Sequence, residues 1–128
     1  MEPLIALDTH VVVWLHAGET GRLPEGVRRR LDTEQALVCP IVLLELESLY
    51  EISRISVNAD KIMGDLSAEI GLHLCPHPFP QVIRESLKQS WTRDPFDRII
   101  AAHATVAGYN LATKDETILT NCSSAFWV

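Results

Sequence analysis

Four acidic side chains occupy positions that local structure alone does not explain. They are Asp8, Glu45, Asp97 and Asp115. Asp8 and Asp115 each follow a short apolar run, whereas Glu45 and Asp97 interrupt longer apolar segments. An isolated carboxylate that is removed from water carries a high free-energy cost unless another group pairs with it. These four acids therefore need a group that compensates their negative charge.

A hard divalent cation is the simplest neutralising partner for such a set. Carboxylates that cluster raise one another's pKa, and a bound cation removes this conflict. Mg²⁺ and Mn²⁺ prefer oxygen ligands, and Mg²⁺ often binds phosphate oxygens as well. Such a site can orient a water molecule, lower its pKa and stabilise charge that develops on phosphorus. The four acids, with no thiolate or imidazole set beside them, therefore favour metal-dependent phosphodiester hydrolysis.

Each acid also has a structural interpretation. Asp8 could be a plain helix cap before Thr9, and Asp115 could be a turn residue. Glu45 and Asp97 suit neither role, because their helical neighbours are apolar or small. Carboxylates with perturbed pKa values also occur in structural networks. Both interpretations stay open on spacing alone, with the metal site favoured.

The clearest predicted element is the helix that carries Asp97. Asp94 is a good N-cap, and Pro95 suits the first helical position, where its missing N–H costs nothing. The helix is predicted to be buried on most sides because its body is nearly all apolar. It is predicted to end at Gly108. Small residues on the stripe of Asp97 would let a neighbouring element approach closely.

Short apolar runs alternate with helical patterns along the rest of the chain. The runs predict strands over residues 4–7, 36–39, 72–75 and 110–113, with a last strand at 125–128. Helices are predicted over residues 9–16, from Pro24, over 41–52, 58–70 and 81–89, with Thr9 and Asn58 as caps. This alternation indicates an α/β sandwich with a mostly parallel sheet, in which ligands bind beyond the carboxyl ends of strands. Asp8 and Asp115 fall at such ends.

Composition narrows the class of protein. The chain has 128 residues, 47% of them apolar and 22% charged, and no repeat or linker divides it, so we expect one domain over residues 1–128. We find no apolar run long enough for a bilayer and no signal peptide, and three widely spaced cysteines suit a reducing cytoplasm. The net charge of −6 argues against nucleic-acid binding through a broad basic surface.

Other chemically active residues give weaker patterns. His73, Cys75 and His77 alternate, but no fourth ligand lies close in sequence, so zinc is not favoured. His10 follows Asp8 closely, and a packing or helix-surface role is favoured over a phosphate contact. The three tryptophans, Trp14 among them, have no regular spacing and are interpreted as core or interface residues.

Taken together, the motifs resemble those of PIN domains, specifically the VapC-type toxins of prokaryotic toxin–antitoxin modules. The most specific match is Arg93-Asp94-Pro95-Phe96-Asp97-Arg98 followed by Ile99-Ile100-Ala101-Ala102. Residues 7–11 with Trp14 and Leu15 resemble the family's opening motif, residues 41–45 its second and residues 111–115 its fourth. Directly before Glu45, Leu44 stands where these toxins often have tryptophan. Lys114 stands where arginine is commoner and carries the same charge.

The resemblance implies a PIN-like α/β/α sandwich with a short, mostly parallel central sheet. It also implies an Mg²⁺- or Mn²⁺-dependent endoribonuclease, a small cognate antitoxin that masks the site, and commonly a homodimer. By matching positions, the catalytic and metal-binding acids are Asp8, Glu45, Asp97 and Asp115. Asp94 and Thr113 are carried over as supporting residues.

Two alternatives use the same fold. One is a PIN-type nuclease that acts in RNA processing or on DNA without an antitoxin. The other is a non-catalytic PIN-like interaction module whose acids bind metal weakly or satisfy each other. Basic residues are the candidates for selecting an RNA target, namely Arg22, Arg28, Arg93 and Arg98. The Arg28–Arg30 run is more simply interpreted as a solvated helix face.

Overall fold

A computed structural model describes residues 3–128, which form five strands and seven α-helices. The strands are β1 (Leu4–Leu7), β2 (Gln35–Val38), β3 (His73–Leu74), β4 (Asn110–Ala112) and β5 (Ala125–Phe126). The helices are α1 (Thr9–His16), α2 (Glu25–Thr33), α3 (Ile41–Glu51), α4 (Ala59–Ile70), α5 (Phe79–Ser86), α6 (Pro95–Ala107) and α7 (Glu116–Asn121), with a 3₁₀ turn at Thr20–Arg22. The prediction of one domain over residues 1–128 stays a prediction.

The strands form one parallel sheet in the order β3-β2-β1-β4-β5. β1 lies at the centre, where Ile5 is in register with Ala36 of β2 and with Asn110 of β4. The predicted α/β architecture is confirmed. Because β1 and β4 are parallel neighbours, the segments that follow them leave the sheet at the same edge. Asp8 and Asp115 lie in those two segments.

The central strand is apolar because helices cover the sheet. Ile5, Ala6 and Leu7 are buried, as a continuous apolar run in a parallel strand predicts. Helix α1 packs with α3 and α4, and α5 packs with α6. No helix within residues 3–128 has the length and apolar character needed to cross a membrane.

Helix α6 follows the sequence prediction closely. The Asp94 carboxylate accepts hydrogen bonds from the backbone N–H groups of Phe96 and Asp97, at 2.9 and 3.2 Å. Gly108 ends the helix at a φ of 77°, a left-handed conformation that glycine adopts without a Cβ penalty. Ala101 and Ala104 are fully buried, so the small residues do allow close packing.

Both ends of helix α5 and the whole of helix α7 differ from the predictions, since α5 was predicted over residues 81–89 and spans Phe79–Ser86. Helix α5 begins at Phe79 rather than at residue 81, because Pro80 lies in its first turn, where a missing N–H breaks no helical hydrogen bond. Helix α7 was not predicted. It has only six residues and begins at Asp115, whose carboxylate caps it. The turn role considered for Asp115 is therefore a cap.

Candidate active site

Asp8 is fixed between the central strand and the first helix. Its Oδ1 accepts a hydrogen bond from the Thr9 backbone N–H at 2.8 Å and caps α1, so Asp8 is the cap and not Thr9. Its Oδ2 accepts the Thr113 hydroxyl at 2.6 Å. Burial raises the pKa of Asp8 although both hydrogen bonds oppose the shift. The structural and chemical interpretations of this residue therefore coexist.

Thr113 connects the two strand ends. It is fully buried directly after β4, and its hydroxyl donates to Asp8 while accepting the Asp115 backbone N–H at 3.1 Å. A second link is the Asp8 N–H, which donates to the Ala112 carbonyl at 3.0 Å. One threonine thus positions both strand-end acids.

Glu45 reaches the same region from α3. Its Oε1 accepts the Thr9 hydroxyl at 2.5 Å, although 36 residues separate the two in sequence. Burial raises the pKa of Glu45, and the charges of Asp8 and, more weakly, Asp94 raise it further. Thr9 was predicted only as a cap, and its hydroxyl instead orients a carboxylate. The signal for this role was its position directly after Asp8.

Asp97 reaches the same region from the first turn of α6. It is half-buried and accepts no hydrogen bond from the described residues. Burial, followed by the charges of Asp94, Asp115, Asp8 and Glu45, raises the pKa of Asp97 to about 7. This coupling shows that the five acids lie close enough to repel one another.

Asp94 and Asp115 are also the N-caps of α6 and α7. The Asp115 Oδ1 accepts the backbone N–H groups of Thr117 and Ile118, at 2.9 and 3.0 Å. In both aspartates only Oδ1 accepts hydrogen bonds from the described residues. Each therefore keeps an oxygen available for another partner.

The acids converge without forming a complete cation cage. Over residues 3–128, no three histidine, cysteine, aspartate or glutamate side chains are arranged to hold one metal ion. Mg²⁺ is, however, usually bound through one or two carboxylates, waters and substrate phosphates rather than by a dedicated protein cage. An all-oxygen donor set with uncompensated like charge therefore fits a hydrated hard cation.

A family model for the PIN domain matches residues 5–121. The chain belongs to the PIN domain family. This confirms the resemblance drawn from the motifs, and because PIN domains are nucleases it supports a hydrolase. No curated protein matches this PIN domain by sequence.

Solved structures with the same fold share little sequence with this PIN domain. A toxin–antitoxin complex from Klebsiella pneumoniae matches with a TM-score of 0.65 and 16% identity, over 95% of each chain. VapBC2 from Rickettsia felis bound to a promoter DNA fragment matches at 0.60 and 15%, over 96% of each chain. DNA-bound VapBC from Salmonella typhimurium matches at 0.61 and 19%, over 98% of this chain and 96% of that chain.

The candidate RNA-selecting arginines of this PIN domain differ in their surroundings. The Arg98 guanidinium donates to the Ser86 carbonyl at 3.0 and 3.2 Å, so it ties α6 to α5. Arg22 is exposed, pairs with Glu19 at 2.9 Å and lies over the Trp14 ring. The positions of Arg28 and Arg93 stay exposed.

Proposed function

We propose that this PIN domain is a metal-dependent endoribonuclease, the toxin of a VapBC-type toxin–antitoxin module. The observation that carries the proposal is the convergence of Asp8, Glu45, Asp97 and Asp115 at one edge of a parallel sheet, where burial and mutual repulsion raise the pKa of Asp97 to about 7. Repulsion between carboxylates destabilises the free protein, and an enzyme can retain it because a bound cation relieves it. Helix capping accounts for Asp8 and Asp115 but not for Glu45 and Asp97, which cap no helix.

Mg²⁺ or Mn²⁺ is the cofactor that this donor set fits best. Asp8, Asp97 and Asp115 would hold the cation, directly or through water, and Glu45 would complete the shell or orient the attacking water. When bound, such a cation lowers the pKa of a coordinated water and offsets the negative charge of the phosphate. Soft ligands are missing from these four positions, which disfavours zinc.

The supporting residues keep the acids oriented. Thr113 holds Asp8 and the backbone of Asp115 at a fixed separation, and Thr9 holds Glu45 toward the strand ends. Asp94 caps α6 and adds a negative charge beside Asp97. Its role in this proposal is to position the helix and to strengthen the local attraction for cations.

In-line attack of the oriented water then cleaves an RNA phosphodiester bond.

The partner and the location follow from the same assignment. The toxin–antitoxin complexes that share the fold support a small cognate antitoxin that covers the acidic edge, which we define as the group Asp8, Glu45, Asp94, Asp97 and Asp115. We also propose a homodimer in the cytoplasm. A nuclease of RNA processing or of DNA, and a non-catalytic module, use the same acids and are outcomes of the tests below.

Cleavage assays test the enzyme. The purified chain is incubated with end-labelled RNA and with single-stranded DNA, in EDTA, Mg²⁺ or Mn²⁺. We expect RNA cleavage that requires metal, and little cleavage of DNA. Preferential DNA cleavage would indicate the other nuclease, and no cleavage of any RNA with metal present would indicate the module.

Co-expression tests the partner. The tagged chain is produced with the product of the neighbouring open reading frame. We expect the two proteins to co-purify and RNA cleavage to appear only after the partner is removed. Light scattering of the released chain then measures whether it is a dimer. A neighbour that neither binds nor inhibits would contradict the toxin assignment but leave the nuclease assignment intact.

A further inference from the structure

A cavity of about 380 Å³ opens beside the acidic edge. It is lined by His10, Trp14, Lys114, Asp115 and Glu116. Because Asp115 also belongs to the proposed catalytic acids, anything bound in this cavity lies next to the reacting phosphate. The volume falls within the range of about 300–1,000 Å³ that is typical of small-ligand sites.

Trp14 lines this cavity and contacts two other aromatic rings. It is half-buried and packs against the main core. The Trp127 ring lies 6.0 Å from it, centroid to centroid, and the His10 ring lies at 6.1 Å. Both pairs are tilted by about 50°. A ring fixed in this way offers a rigid stacking surface at low entropy cost.

Two cations lie against the same ring. The Arg22 guanidinium carbon is 5.5 Å from the Trp14 centroid, and the Lys114 Nζ is at 5.9 Å. Lys114 forms no ion pair with any described residue. In a chain with a net charge of −6, this places local positive charge beside the acids, where an RNA backbone must approach.

The lining discriminates between the two parts of a nucleotide. Glu116 is not among the acids assigned to the cation, so it leaves a negative charge in the lining that disfavours a phosphate inside the cavity. A neutral base can offer an N–H donor to Glu116 and its face to Trp14 and His10. Single-stranded RNA is commonly recognised through bases that are splayed out and stacked on aromatic side chains. The phosphate then stays outside, within reach of the flexible Lys114 side chain.

We propose that the cavity between Trp14 and Glu116 is a nucleobase-binding subsite, which takes a base adjacent to the scissile phosphate by stacking on Trp14 and His10. Lys114 contacts the phosphate of that nucleotide. This inference rests on the proposed ribonuclease function. It assigns Trp14, His10 and Lys114 to substrate positioning.

An abasic scan tests the stacking. An RNA oligonucleotide that the protein cleaves is made with a single abasic residue at each position flanking the cleaved bond. With the unmodified protein, we expect one adjacent position to lower kcat/KM by about 5- to 150-fold, the range for loss of one base–aromatic stack. Equal cleavage of all abasic RNAs would overturn the subsite, whereas no cleavage of intact RNA would instead contradict the ribonuclease function.

A tryptophan pair then locates the effect. Trp14→Leu should lower kcat/KM on intact RNA and show no additional loss on the sensitive abasic RNA. Trp91→Leu is the matched control, since Trp91 is also half-buried against the core but does not line the cavity. It should keep the full abasic sensitivity. If Trp14→Leu stays equally sensitive to the missing base, Trp14 is not the stacking partner and the proposal fails.

A lysine pair gives a readout that needs neither metal nor an intact tryptophan. The Kd for labelled intact RNA is measured in EDTA by fluorescence anisotropy. Lys114→Met and Lys88→Met remove the same charge from exposed positions, and Lys88 lies outside the cavity. We expect Lys114→Met to weaken binding about 3- to 10-fold more than Lys88→Met. Equal weakening would show that only net charge matters and would contradict the phosphate contact.

Discussion

Two regions of this molecule hold titratable side chains that burial shifts toward the neutral form. At the acidic edge, burial and like charges raise the pKa of Asp97 to about 7. Elsewhere, burial and the nearby His77 lower the pKa of His103 to about 4. The Nε2 atoms of His77 and His103 are both buried and find no hydrogen-bond partner among residues 3–128. The shifts are of similar size, but their settings differ.

The difference shows when a perturbed pKa indicates a site. The acidic edge combines hydrogen bonds that aim several carboxylates, oxygens left available on Asp94 and Asp115, and a neighbouring cavity. Among residues 3–128, no carboxylate contributes to the pKa shift of His103, which is buried in α6 with the Tyr109 ring at 6.0 Å. A bound ligand can relieve the repulsion between the acids, whereas ionisation of His103 only destabilises the fold.

The largest expected effect is on catalysis at the acidic edge. Asp97→Asn should lower metal-dependent RNA cleavage at least about 100-fold, because the cation loses a charged ligand where charge develops on phosphorus. Initial rates with Mn²⁺ measure the loss, and circular dichroism checks the fold. Asp32→Asn, on the exposed face of α2, is the control that should retain activity. Full activity in Asp97→Asn would remove the main distinction between the two regions.

A smaller catalytic effect is expected from the threonine that positions two acids. Thr113→Val keeps the side-chain shape but removes the donor to Asp8, and it should lower activity about 10- to 100-fold, as for other groups that orient metal ligands. Thr33→Val is a matched change at an exposed helix end. The sensitive measurement is the Mn²⁺ concentration that gives half-maximal cleavage. If that concentration is unchanged in Thr113→Val, the hydroxyl does not orient the metal ligands.

The histidine pair should affect stability only. A histidine whose pKa is lowered in the folded state contributes its full stability above the unfolded pKa of about 6.5, and this contribution is lost as pH falls toward 4. Between pH 7 and pH 5, the free energy of unfolding of the unmodified protein should therefore fall by about 2 kcal/mol more than that of His103→Leu. Urea unfolding at the two pH values measures this difference. Parallel pH profiles for the two proteins would show that His103 is not the group responsible.

The acidic edge should give a smaller stability effect of opposite sign. A carboxyl whose pKa is raised in the folded state favours folding at low pH, and the contribution is lost as pH rises through about 7. In EDTA at pH 8, Asp97→Asn should thus be more stable than the unmodified protein by about 1 kcal/mol, after allowance for solvent screening. The gap should close toward pH 4. A variant that is less stable at pH 8 would contradict the repulsion assigned to this region.

Helix α6 and strand β1 were predictable because their sequence signals are local. Helix α6 carries its own cap, first-turn proline and terminal glycine, and β1 is a continuous apolar run. Helix α7 has six residues, too few to show a helical period, and its existence depends on the Asp115 cap. The start of α5 was missed because prolines mark the end of one element and the first turn of the next equally well.

The candidate site was predictable in its residue types and less so in its connections. Unexplained carboxylates are visible in a sequence because apolar neighbours make them conspicuous. The hydroxyl of Thr9 on Glu45 spans 36 residues, and that of Thr113 on Asp8 spans 105. The surroundings of Trp14 join His10, Arg22, Lys114 and Trp127. Only the folded chain brings such residues together, so no local pattern reveals them.

The Thr113 hydroxyl has a consequence for the dynamics of this edge. It donates its one proton to the Asp8 carboxylate and accepts the Asp115 backbone N–H, so it links Asp8 to the Asp115 backbone where β1 and β4 are paired. This pairing lies at the centre of the sheet, and central strands generally open only with the whole domain. The strand-borne half of the acidic edge therefore stays assembled in every partly opened state that keeps the sheet, while the helix-borne carboxylates of Glu45 and Asp97 can move separately.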